Sequence, residues 1–191
     1  AEQQKKAVLP SNISFVGAGA TSNGSKGGGL GHMGFWLKDT VRYKGYALYP
    51  DFNLDFYSLG GVELERPVEL NITGPVVIQE LKARIGKSDW FFGAKQTYRK
   101  VETSFANDLT VNILPSDIAN QQLTDKINNF IHTQIDSTDT TSGLGLIAEF
   151  DSRNNPMNPE RGYDYALELV RFDKSIGSDY DYTSYHFEGL N

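Results

Sequence analysis

The chain has no cysteine, so disulfide frameworks, thiol nucleophiles and cysteine-ligated metals are excluded together. It has only three histidines, His32, His132 and His186, too far apart in sequence for any pair to show a metal-ligand spacing. It lacks an excess of positive charge. With 18 Lys and Arg against 24 Asp and Glu, a net charge of -6 and a pI near 5.0, it is repelled by nucleic acid and by anionic membrane surfaces. No apolar run approaches the roughly 20 residues a membrane-spanning helix needs. The first residues, Ala1 to Lys6, have no apolar signal-peptide core. Gly-x-Ser-x-Gly is absent, and no serine has a recognisable partner for nucleophilic catalysis.

What is present alternates. Of the 191 residues 39% are hydrophobic and 22% charged, enough for one domain with a real interior. Tyr163, Tyr165, Leu167 and Leu169 put apolar side chains on one face of a strand, with Asp164, Ala166 and Glu168 on the other. Between Val76 and Ile85, Val77, Leu81, Ala83 and Ile85 oppose Glu80, Lys82 and Arg84. Those three charges want water: they line a lumen or form the exposed face of an open sheet. Further strands are expected over 13–20, 30–37, 41–48, 52–58, 68–73, 90–99, 144–150 and 180–187. That gives about ten in all. Short links rich in turn formers favour antiparallel pairing.

Residues 116–135 break the pattern. Ile118, Leu123, Ile127, Phe130 and Ile131 recur at helical spacing, which predicts a short amphipathic helix that caps the sheet or serves as a surface-loop plug. The polar stretch from Asp136 to Ser142 reads as a loop, so residues 106–142 form an insert in a single domain spanning 1–191. Aromatic clusters, Phe35 with Trp36, Tyr43 with Tyr46 and Tyr49, Trp90 to Phe92, and Tyr180, Tyr182 and Tyr185, fit membrane-interface girdles or a soluble sandwich core. Because strands of about 10 alternating residues suffice for a barrel, the mean hydropathy of -0.42 does not separate a membrane barrel from a soluble β protein.

The glycine run after Val16 imitates a dinucleotide fingerprint. The residues that follow, Asn23 to Gly29, are poor helix formers, so no cofactor is expected. The most distinctive stretch is Asp151 to Gly162, where two Asn-Pro steps stiffen a turn between strands. Asp151 and Arg153 share a face and pin it, Pro156 and Pro159 restrict it, and Gly162 lets the chain re-enter the sheet.

That wording resembles the Asp-x-Arg-(x)n-Pro-x-x-Gly turn of the bacterial surface antigen family, the BamA/TamA-like outer-membrane barrels. The likeness continues through Thr21–Ser25, Gly29–His32, Arg42-Tyr43, Asn53–Tyr57, Leu144–Leu146 and Gly177–Tyr180. The resemblance implies an all-β, antiparallel up-and-down transmembrane barrel, or an N-terminal part of one, without POTRA domains. It implies residence in the bacterial outer membrane, lipid and other envelope proteins as partners, a possible homo-oligomer and a noncatalytic role as scaffold, pore or assembly relative. Two other classes stand beside it: a soluble secreted barrel or sandwich binding lipid or carbohydrate, and an envelope hydrolase.

Overall fold

A computed structural model describes residues 10–59, 62–105, 117–134 and 136–190. Nine strands form one antiparallel sheet: β1 (Asn12–Ala20), β2 (Lys26–Trp36), β3 (Val41–Leu59), β4 (Val62–Thr73), β5 (Val76–Arg84), β6 (Trp90–Phe105), β7 (Ser137–Asp151), β8 (Asp164–Phe172) and β9 (Tyr182–Leu190). Among the described residues one α-helix, α1 (Asp117–Gln134), lies between β6 and β7 and touches β6. The all-β, antiparallel expectation holds.

The nine strands occupy eight positions, because β4 and β5 follow one another beside β3. Leu48 pairs with Val76 and Asp51 with Thr73, so the two are one long strand interrupted at Gly74-Pro75. Proline brings no N–H to the ladder. Gly74 has φ +139, and a Cβ there would stand 2.1 Å from the Lys100 carbonyl oxygen. The rest is a meander in which each strand pairs with its sequence neighbour.

Two expectations change. The predicted strands 41–48 and 52–58 are one continuous β3, since Pro50 sits in register opposite Gly27. The loop expected from Asp136 to Ser142 is instead largely the start of β7, where Ser137 to Ser142 pair with Thr103 to Tyr98. Threonines suit an extended backbone, and the ladder to β6 supplies hydrogen bonds that polar side chains do not advertise. The remainder of the expected insert, 106–116, lies outside the described residues, while the helix forms where its spacing predicts.

Strand alternation divides the sheet into two faces. Arg42 on β3 reaches Glu149 and Asp151 on β7 across the intervening β5 and β6, so the sheet curls toward the face carrying Arg42, termed inner. Asn12, Leu190 and the connections 37–40, 85–89 and 152–163 lie at one end, called near. The turns 21–25 and 173–181 lie at the far end. Among the described residues, the outer edges of β1 and β9 have no strand partner.

Candidate functional site: charge inside, hydrocarbon outside

The inner face at the near end is built from alternate residues of five strands. β3 contributes Arg42 and Lys44, β5 Glu80, Lys82 and Arg84, and β6 Phe91 and Lys95. β7 contributes Ile147, Glu149 and Asp151, and β8 Asp164 and Glu168. Phe91 is completely buried, with the Arg42 guanidinium 4.0 Å from its ring centroid and that of Arg84 at 4.2 Å. A ring quadrupole accommodates a cation over its face, and a guanidinium is weakly hydrated, so this stack carries two cations where one would crowd.

Carboxylates complete it. Arg42 donates from Nη1 to Asp151 Oδ2 at 2.6 Å and to Glu149 Oε1 at 3.1 Å, and from Nε to Asp39 Oδ1 at 2.7 Å. Arg84 donates from Nη2 to Asp39 Oδ2 at 2.6 Å. Asp39 lies in a tight turn whose three residues Leu37, Lys38 and Asp39 all have positive φ, between 52° and 63°. Such backbone costs energy for residues with a Cβ, and the two arginines gripping Asp39 offset it. Lys82 pairs with Glu149, and Lys95 bridges Glu80 at 3.1 Å and Glu168 at 2.7 Å.

The connection 152–163 joins this cluster. Arg153 donates from Nε to Asp151 Oδ1 at 2.8 Å and from Nη2 to Asp164 Oδ2 at 2.7 Å. Asp151 is 1% exposed. Asn154 Oδ1 accepts from the backbone N–H groups of Glu160 and Arg161, closing the connection on itself. Gly162 has φ +105, and a Cβ there would lie 2.6 Å from the Ser152 carbonyl oxygen. Pro156 is half-buried beside the cluster, whereas Pro159 is exposed and contributes only its restricted backbone.

Sequence therefore located Asp151, Arg153, Glu80, Lys82 and Arg84, and the structure brings them together with three partners that alternation did not single out: Asp39, Phe91 and Glu149. Arg42, quoted only for a family likeness, is the hub. A basic residue on the same strand face as Lys44 is the one signal that pointed inward.

The outer face is the reverse. Val16, Leu30, Trp36, Leu81, Phe92, Leu144, Leu146, Tyr165, Leu167, Tyr185 and Phe187 all point outward and are exposed. From the near end as far as Tyr49 on β3, Tyr98 on β6 and Leu169 on β8, the outward positions of the described strands carry no Asp, Glu, Lys or Arg; the next outward residue of β8 is Arg171, in register with Leu144. The polar residues among them satisfy one another, as Ser14 with His32 at 2.7 Å, Tyr43 with Gln79 at 3.2 Å and Asn12 with Trp36 at 2.8 Å. Aromatic rings gather at the near rim. Trp36 stacks on Tyr43 at 5.9 Å, Trp90 meets Phe150 edge-on at 5.3 Å, and Tyr165 stacks on Phe187 at 6.4 Å.

A third feature is a depression on the inner face toward the far end, about 710 Å³, floored by Gly17, Gly19, Gly27 and Gly29 and walled by Phe15 and Phe52. It contains little polar surface. Every carboxylate of the near-end cluster is engaged by a cation, and among the described residues no group of three or more His, Asp or Glu is placed to hold a metal ion. The cluster is thus a cross-strand clamp by its chemistry, and the apolar outer face is the larger surface in need of an environment. No family model, curated protein or solved structure matches the chain.

Proposed function

We propose that this chain is an outer-membrane β-barrel protein of the bacterial surface antigen type, or a barrel-forming part of one, with a noncatalytic envelope role. The observation that carries the proposal is the charge-free, exposed apolar band on the outer face, set against ion pairs turned inward. A water-soluble sheet does the opposite, burying apolar and exposing charged side chains. Large contiguous apolar surfaces mark contact with membrane or partner. From Val41 to Tyr49 the band runs for eight residue steps, about 27 Å along the strand. At a strand tilt near 40° that is about 20 Å of height, close to the roughly 25 Å band of known barrels.

The aromatic rim fits the interfacial girdle of such proteins. Closure fits too. With eight positions, β1 and β9 run in opposite directions, so their pairing would be antiparallel, and each has nine residues. Lipid tolerates no unpaired edge, which makes pairing of both edges a requirement of the proposal. The lipid of the outer membrane is then the principal partner.

The glycine-floored depression would suit a soluble binder of an apolar ligand. Such a protein would not leave Leu146 at 68% and Phe187 at 67% exposure on the opposite face.

The test is migration on an SDS gel with and without boiling, after expression into the outer membrane. A faster unboiled band that shifts on heating is expected of a closed barrel. A protein recovered from the soluble fraction, with one mobility, refutes the proposal.

A further inference from the structure

We infer that the connection between β7 and β8 seals the near end of the inner space, making it a cup open only toward the far end. The inference rests on the barrel proposed above. Arg153 turns the connection inward by gripping Asp151, at the end of β7, and Asp164, at the start of β8. This places Pro156 on the wall of an inner cavity of about 290 Å³ that Arg42 and Glu149 also line. Met33 of β2 and Leu190 of β9 line the same cavity, so it spans the interior from one side of the curled sheet to the other.

Two layers of ions cross this space above the connection. The first is Arg42 with Glu149 and Asp151. The second is Lys95 between Glu80 and Glu168. Passing through either layer would separate paired charges, which costs several times thermal energy for each pair broken. The cavity lined by Met33 and Leu190 touches members of both layers, Arg42 and Glu149 of the first and Glu80 and Glu168 of the second, so the connection closes the route that leaves the pairs intact. The far half differs. There, on β1 and β2, glycines replace the large side chains and the inner face is an open depression of about 710 Å³.

The experiment uses the full chain, reconstituted into planar bilayers in potassium chloride, with heat-shifted migration confirming that each protein is folded. Wild type is expected to insert without discrete conductance steps. Arg153→Ala, which frees the connection from both carboxylates, is expected to show steps absent from wild type, and Arg153→Lys to suppress most of them. If Arg153→Ala loses its heat shift, Asp164→Asn is read by the same criterion. Steady conductance through folded wild type overturns the seal and leaves the barrel standing. So does silence in a folded variant. Wild type that neither floats with lipid vesicles nor shifts on heating overturns the barrel, and the seal with it.

Discussion

The near half of the sheet and the far extension of β3, β4 and β6 obey opposite rules on the same strands. In the near half, Arg42 and Lys44 face in while Val41 and Tyr43 face out. Beyond Pro50, the inward residues become Phe52, Leu54 and Phe56, and the outward ones Asp51, Asn53 and Asp55. The partner strand follows, with Leu70 and Ile72 in register with Leu54 and Phe52 on the inner side, and Asn71 outward, donating to Asp51 and Asn53. Since β3 keeps its register through the change, the switch is one of sequence and not of geometry. Side-chain chemistry thus draws a line across the strands at Pro50, Gly74 and Lys100. Below it hydrocarbon surrounds the molecule in the proposed barrel, and above it water does.

The strongest way to break this contrast is to remove the hub of the inner charges. Arg42→Ala leaves Asp151 and Glu149 buried with a lost partner, and loss of one member of a buried pair costs about 3–5 kcal/mol. Unfolding in detergent or lipid should register it, and an unchanged midpoint would show that the cluster contributes nothing. Next is a charge placed on the band. Leu81→Arg, at mid-band, is expected to cost about 2–4 kcal/mol in a lipid bilayer, while Glu69→Arg on the far extension should stay within about 0.5 kcal/mol. Equal tolerance of both would erase the line. Smaller is Gly162→Ala, where positive φ and a backbone clash at 2.6 Å predict a loss of about 1–3 kcal/mol. Thermal unfolding of the folded protein checks it.

The mildest prediction concerns an exposed turn. At Asp173, between β8 and β9, hydrogen bonds from the Ser175 hydroxyl and then its backbone N–H hold the carboxyl below its ordinary value. A lowered folded value stabilises the folded turn above the unfolded pKa, and the contribution disappears as pH falls through the folded one. NMR titration of the Asp173 carboxyl should therefore find it below a model aspartate, and Ser175→Ala should move it back toward that value.

How much of this was legible in the sequence follows from the same line. Within the band, alternation is strong, and β5, β8 and the Asp151–Arg153 pair were read directly from it. Above the line, the strands carry polar residues outward and, in β7, threonine and serine on both faces, so Asp136 to Ser142 resembled a loop. The cluster was only half visible for a different reason. Glu80, Lys82 and Arg84 advertise a charged face, but nothing local tells Arg42 that its partners lie 107 and 109 residues away. Phe91 was counted as one more aromatic at a strand end, since stacking between two guanidinium groups is a property of the curl.

The break at Gly74-Pro75 falls at the level where polarity changes, and Pro50 stands beside it on the neighbouring strand, accepting from the Gly74 N–H at 3.3 Å. Two prolines at one level withhold two amide hydrogens from the ladder. The sheet is therefore stitched least densely along that line. Amide exchange should divide there into two cooperative units, with the far extension opening on its own while the clamped near half exchanges only with the whole.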